Sequence, residues 1–397
     1  MNTIAERRSR VYTPELDVLR GIAAVLMIAN HAGFRLLSAG DASMSVAAAA
    51  VFIGGFAPVV FFFATGFGIA LSTRAGPADM RSVAWKATLL VIADQWFFWR
   101  RGDVAGLDFF GFIALASVTV SFISSRRRPV LICLVLAVVL LALRYAVGPM
   151  LRGSLSQSAA WNWVTGAQAI DHISYPLSPW MVYPLLGFVL GRFHEPVQAL
   201  LPRTRLRIYA GVTACVIGFG GLAVLLAVVF KSSFFRWGMV SAGFLVLSLS
   251  ILMLASLAAM LLSVSCPTQA SRLALRGTAS FAVIPIHYAM LDLCVLTLPL
   301  PLNQWTFAGF LIGIVWVAIF LSARFSVWVS PLSAPALRRT LVPALLALLL
   351  ALSLGVIAGL AQGPAAAATM TLVAQLVVAA LLGVRPQNVH KGAVQPA

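Results

Sequence analysis

Charge is what this chain has least of. Asp, Glu, Lys and Arg make up 10% of its 397 residues, and 11 of them are acidic, where an ordinary soluble domain carries about 25% charged residues. So little charge excludes a solvated globular surface over most of the length. Cysteine is scarce as well. Cys133, Cys215, Cys266 and Cys294 lie in or beside apolar runs with no CxxC or Cys/His spacing, so they point to neither a disulfide framework nor a metal site. A long polar stretch is also missing, which leaves no room for a sizeable soluble domain. Arg7, Arg8 and Arg10 precede an apolar run longer than a signal-peptide core, with no small-residue cleavage site close behind, so a cleaved leader is not expected.

What is present is hydrocarbon. Hydrophobic residues account for 61% of the chain, and apolar runs near the spanning length of about 20 residues recur from end to end. Twelve can be delimited, over 16–37, 46–72, 82–99, 104–124, 129–148, 177–193, 207–230, 236–262, 277–298, 305–323, 340–360 and 366–384. The third is interrupted by Lys86 and Asp94, the sixth by Pro179 and Pro184. The fold class that follows is all-α, a polytopic transmembrane helix bundle of about 10–12 spans. One transmembrane domain over 16–384 is expected, between an N-terminal tail over 1–15 and a disordered tail over 385–397. The last two spans, almost without polar groups, read as lipid-facing scaffold or an oligomer surface.

The net charge of +17 is divided among short loops rather than gathered on one soluble face, so nucleic acid is not the expected partner. Anionic headgroups are. Placing both termini in the cytoplasm puts the bulk of the Lys and Arg residues in inside segments, as the positive-inside rule requires. The cell inner (cytoplasmic) membrane is the expected location. Under this orientation Asp41, Asp94, Asp103, Asp108, Asp171 and Asp292 fall in outer halves or outer loops, along with His172, His31 and His287. Proton-handling groups therefore collect on the outer side. The longest outer segment, Pro149 to Pro176, carries Trp161, Trp163 and Tyr175, suited to an aromatic belt or a lid. Asp171 and His172 are adjacent within it, and neighbouring side chains do not face each other on a helix.

The stretch LDVLRGIAAVLMIANHAGF from Leu16 to Phe34 draws most of the argument. Thr13-Pro14-Glu15 reads as a helix start, with Thr13 as N-cap, Pro14 at the first helical position, and Glu15 and Asp17 facing the positive end of the dipole. Arg20 and His31 fall on nearly one face, about 16 Å apart along the axis. An imidazole at bilayer depth is costly and usually faces a bundle interior or a hydrated path. His31 is therefore the candidate catalytic residue, as general base or transient acyl carrier. Asp17, about 21 Å away by rise, is assigned to pairing with Arg20. An acid that orients His31 has to come from another helix, with Asp94 and Asp108 the candidates. Asn30 and His287 are candidate donors to an oxyanion. In the ninth span His287 follows Pro285, and Asp292 lies too far round the helix to contact it.

With those residues in place, the chain resembles the membrane acyltransferase superfamily, namely the acyltransferase-3 family and the heparan-glucosaminide N-acetyltransferase-like proteins. The resemblance rests first on Asp17, Arg20, Gly21 and His31: an acid, an Arg-Gly pair, then an apolar helix with a histidine ten residues after the glycine. FFFATGFGIAL from Phe61, YPLSPWMVYPLLGFVLGR from Tyr175 and GTASFAVIPIHY from Gly277 resemble further segments of the group. In place of the paired arginines usual in the acyltransferase-3 group stand Arg81 and Lys86. The resemblance implies an integral-membrane acyltransferase that moves an acyl group, often acetyl, from a cytoplasmic acyl-CoA to a hydroxyl or amine of an extracytoplasmic glycan or lipid-linked sugar. Acyl-CoA would be a co-substrate, with no permanently bound cofactor and no metal, and Arg20, Arg81 and Lys86 would meet its polyanionic end. The rival is a secondary transporter or flippase for a glycan or lipid precursor. It predicts interrupted helices at matching positions in two halves, and no such self-similarity is evident.

Overall fold

The computed structural model describes residues 13–37, 46–74, 76–99, 106–147, 159–166, 172–232, 240–277, 279–298, 300, 302–329, 335–362 and 364–383. Asp41, Asp103, Asp171 and the two tails over 1–12 and 384–397 lie outside the described residues. The described chain is helical, and its β-structure is an isolated parallel bridge between Leu107 and Ile173. In order come α1 (Pro14–Leu36), α2 (Val46–Gly54), α3 (Ala57–Ser72), α4 (Met80–Trp99), α5 (Phe109–Ser124) and α6 (Pro129–Ala142), which ends in a π turn over Leu143–Val147. Then follow α7 (Ala159–Thr165), α8 (Leu177–Trp180), α9 (Val182–Phe193), a 3₁₀ turn over Val197–Ala199, α10 (Pro202–Phe230) and α11 (Ala242–Ser265). The chain closes with α12 (Pro267–Leu273), α13 (Ala279–Thr297), α14 (Gln304–Val329), α15 (Pro335–Gln362) and α16 (Pro364–Gly383).

Helix occupies each of the twelve apolar stretches. Among the described residues seven helical segments are long and apolar enough to cross a membrane by length and composition: Pro14–Leu36, Ala48–Ser72, Pro129–Val147, Pro202–Phe230, Ala242–Ser265, Ser280–Thr297 and Gln304–Val329. Three more apolar helices are shorter, Phe109–Ser124, Thr340–Gly355 and Ala368–Gly383. The chain is a multi-pass helical bundle.

α1 is the hub of that bundle. It packs against α2, α3, α11, α12, α13 and α14, and Val18, Ala23, Ala24, Ile28 and Ala32 on it are fully buried. α10 is the opposite case: of its 29 residues Ala223 is the buried one, and the rest of its apolar surface, as in any lipid-facing helix, needs no protein partner. Thr13 occupies the N-cap position of α1 and Pro14 its first turn, but no side-chain capping bond forms. Glu15 departs from the expected dipole role too, since its carboxylate accepts the backbone N–H of Val197 at 3.0 Å and ties α1 to the 3₁₀ turn.

The Arg-Gly pair has a packing reason. A Cβ at Gly21 would lie 1.9 Å from the carbonyl oxygen of Leu273, where the chain leaving α12 crosses α1 and Leu275 N–H donates to the Asp17 carbonyl at 3.0 Å. Glycines also let α3 and α9 meet backbone to backbone. A Cβ at Gly66 would fall 1.8 Å from the Pro184 carbonyl oxygen, and one at Gly187 would fall 2.0 Å from that of Phe63. Gly191, one turn on, faces Phe67 and Ala70. Small residues that let backbones meet are the usual device for joining helices where lipid removes the hydrophobic drive.

One span differs from expectation. The stretch 46–72 is two helices, α2 and α3, broken at Gly54-Gly55-Phe56, with Pro58 opening the first turn of α3. Backbone that leaves the helix at this depth is tolerated where it lines a cavity or is buried in protein. Here it lines one.

Candidate active site

The break between α2 and α3 is one wall of a cavity of about 860 Å³. α1 contributes Met27, Asn30, His31, Phe34 and Arg35 to the lining, and α13 contributes Ile284 and Tyr288. Asp94 and Phe97 come from α4, Asp108 to Phe110 from the start of α5, Ser174 and Tyr175 from the segment before α8, and Phe244 from α11. The walls are therefore mostly apolar and rich in Phe and Tyr, with a few polar side chains among them, the usual composition of a small-molecule site.

His31 is held by a chain of hydrogen bonds whose direction can be deduced. His287 Nδ1 lies 2.8 Å from the carbonyl oxygen of Val283. A carbonyl can only accept, so the His287 proton sits on Nδ1 and its Nε2 offers a lone pair. His31 Nδ1 lies 2.8 Å from that Nε2 and must be the donor. His31 Nε2 is thereby left as the unprotonated nitrogen, and the Tyr288 hydroxyl approaches it at 3.3 Å. The three rings stack closely: Tyr288 has its centroid 4.7 Å from those of both His31 and His287. His287 is fully buried behind His31 and does not line the cavity.

The expected orienting acids do other work. Both ring nitrogens of His31 are taken by His287 and Tyr288, so neither Asp94 nor Asp108 orients it. Asp94, almost wholly buried, spends its two oxygens on the backbone N–H groups of Asp108 at 2.8 Å and Phe110 at 3.0 Å. It thus satisfies the start of α5 from α4. Gln95 beside it exchanges two bonds with the Gly106 backbone, and Leu107 pairs with His172 and Ser174. Together these fix the loop that carries Asp108 on the cavity wall. Replacing Asp94 by Ala removes a cap and strands buried donors, which costs about 1–3 kcal/mol. A lowered melting temperature of the detergent-solubilised variant is the expected result, and an unchanged one would mean that the carboxylate does not hold the loop.

Asn30 lines the cavity and donates one amide N–H to the Val51 carbonyl at 2.9 Å, fastening α1 to α2. Asp17 pairs with Arg20 at 3.0 Å, as its position suggested, and Arg276 stands 3.9 Å away on its other oxygen. Arg20, Arg81 and Lys86 are not brought to the cavity: its lining on α1 begins at Met27, about 10 Å of rise beyond Arg20, and Arg81 and Lys86 are exposed near the start of α4. The cation on the cavity wall is Arg35. It forms a 2.7 Å ion pair with Asp292, which also accepts from Gln375 at 2.8 Å, so α1, α13 and α16 are joined at this level.

Two lining residues escaped sequence reasoning although their signals were present. Arg35 is one helical turn beyond His31, and Tyr288 directly follows His287. His172, with a positive φ of 65°, is not among the residues that line the cavity. Among the described residues no group of three or more His, Cys, Asp or Glu is arranged to hold a metal ion.

Residues 13–217 match the sequence model of a family described as heparan-α-glucosaminide N-acetyltransferase, catalytic. No curated protein matches the chain. The match spans Asn30, His31, Asp94, Asp108 and Tyr175 and ends before α13, so His287 and Tyr288 lie beyond it. It falls on the glucosaminide side of the resemblance carried by Asp17, Arg20, Gly21 and His31, and does not carry the acyltransferase-3 side.

Proposed function

The chain belongs to the heparan-α-glucosaminide N-acetyltransferase catalytic family, a family of membrane acetyltransferases, and from that premise we propose that it transfers an acetyl group from acetyl-CoA to an amine or hydroxyl of a glucosaminide-like sugar. The observation that carries the reading is the unprotonated Nε2 of His31 on the wall of the cavity, its tautomer held by His287. A base needs a lone pair within hydrogen-bond reach of the nucleophile, and a buried partner that fixes which nitrogen carries it.

In the proposed reaction the acceptor nitrogen or oxygen attacks the thioester carbonyl carbon and His31 Nε2 takes its proton. The carbonyl π pair moves onto oxygen. When that pair returns, the C–S bond breaks with its electrons on sulfur, and the proton held by His31 passes to the sulfur to give free CoA. His287 accepts from the Nδ1–H throughout and stabilises the imidazolium that forms, as a positioning residue. The aromatic walls keep water from competing for the thioester.

With the N-terminus cytoplasmic, the cavity lies on the outer half of the membrane, where a glycan or lipid-linked sugar would enter. Arg20, Arg81 and Lys86 then mark the inner end as the side that meets the donor's phosphates. Reaching His31 from there requires α1 and α3 to part where Arg20 Nη2 fills the space against Gly68. An inner (cytoplasmic) membrane location is part of the same proposal.

Purified protein incubated with acetyl-CoA and methyl α-glucosaminide tests it. CoA release that requires the sugar, with one acetylated sugar formed for each CoA, is the expected result. A transporter or scaffold consumes no thioester, so intact acetyl-CoA after prolonged incubation would overturn the reading.

A further inference from the structure

Among the described residues Tyr288 is the group seated on the reactive nitrogen, and although it ends the segment GTASFAVIPIHY, sequence reasoning assigns it no role. Its hydroxyl lies 3.3 Å from His31 Nε2, the position that the acceptor's own N–H or O–H has to occupy before a proton can move. The tautomer chain makes the phenol the donor there, since Nε2 has only a lone pair to offer. Its ring is held between the two imidazoles and Phe97, whose centroid is 5.2 Å away, and it lines the cavity. With the ring held, the phenol oxygen keeps its place on the cavity wall and only its O–H turns, so an acceptor that takes Nε2 frees that proton to point at another oxygen in the cavity.

We propose that Tyr288 is a catalytic residue with two stations. In the resting enzyme its hydroxyl holds the seat of the acceptor's nucleophile on His31, and in the tetrahedral intermediate it donates the hydrogen bond that stabilises the oxyanion. This rests on the reading of His31 as the base. Tyr288 keeps its proton: the acceptor's proton goes to His31 and then to the departing sulfur, while the phenol O–H binds the oxygen that gains and then returns an electron pair. A preorganised donor aimed at that oxygen in a water-poor site is among the strongest single contributions to acyl transfer.

Tyr288→Phe keeps the ring stack and deletes the donor. With acetyl-CoA and methyl α-glucosaminide, kcat is expected to fall about 10²–10³-fold, the usual cost of one oxyanion donor, with the KM for the sugar unchanged or lowered because its seat has been vacated. A residue that merely steadied His31 would instead lower kcat no further than loss of His287 does and would raise the KM for the sugar, whose partner nitrogen would no longer be held in place. A parental kcat in the variant, or that KM pattern, overturns the assignment while leaving acetyl transfer itself intact. A parent that releases no CoA overturns the assignment and the proposed function together. Should the Phe variant not be recovered as monodisperse protein, 3,5-difluorotyrosine placed at position 288 keeps the shape and ionises near neutrality. Its kcat must then drop with rising pH across a range where the parent is flat, and a profile identical to the parent's overturns the proposal.

Discussion

His31→Ala lowers kcat for acetyl transfer by about 10²–10⁴-fold, the range that general-base catalysis supplies, and leaves the folded bundle in place. The fold is expected to survive because one edge of the His31 ring faces a cavity, so truncation enlarges a space that already exists rather than opening one in packed core. The partner variant His287→Ala gives a smaller loss. It leaves His31 Nδ1–H without its acceptor, so the ring is free to take the other tautomer and turn the wrong nitrogen to the substrate. His287→Gln, which restores an acceptor oxygen, recovers part of the rate. Steady-state kinetics on the three variants, with monodispersity by size exclusion as the folding control, decides the matter. If His31→Ala transfers acetyl at the parental rate, the base lies elsewhere.

Gly66→Leu has the largest expected effect on folding. Its Cβ would meet the Pro184 carbonyl oxygen at 1.8 Å, and that oxygen belongs to backbone that cannot rotate aside. The α3–α9 pair must separate, which costs more than the ~1–3 kcal/mol of an ordinary overpacked core. Loss of the monodisperse peak, or a large fall in melting temperature, is the expected observation. Gly218→Leu is the matched control, since a Cβ there meets nothing within 4 Å, and the variant should behave as the parent. Equal stability of the two would show that α3 and α9 do not meet backbone to backbone.

What could be read from sequence divides along chain distance. The Asp17–Arg20 pair and the placing of His31 on an inward face of α1 are local, three and eleven residues of one helix, so periodicity alone delivers them. The tie from His31 to His287 spans 256 residues, and no spacing rule reaches that far. Each histidine was legible as a costly polar group in hydrocarbon, but their partnership was not. Asp94 misled for a related reason. A carboxylate deep in a span looks like a partner for an imidazole, yet its two oxygens are spent on the first turn of α5, whose unsatisfied N–H groups are as demanding as any ligand. The break at Gly54-Gly55-Phe56 lies inside one continuous apolar run, and paired glycines in such a run serve close helix packing as readily as a break. Pro58, four residues on from Gly54, was the sign that the backbone instead leaves the helix to wall a cavity.

The cavity stops at Met27, and the next turns of α1 toward Arg20 are hydrocarbon, with Ala23 and Ala24 fully buried. Those apolar turns bear on what the protein can dissipate. An acetyl group can be handed from one side of a bilayer to the other only through a path that water and hydronium do not share, because a continuous water file would short-circuit the ion gradients on which the cell runs. On the proposed reading, a few small apolar side chains on the central helix would let the reaction chamber fill and empty while the membrane around it stays electrically tight.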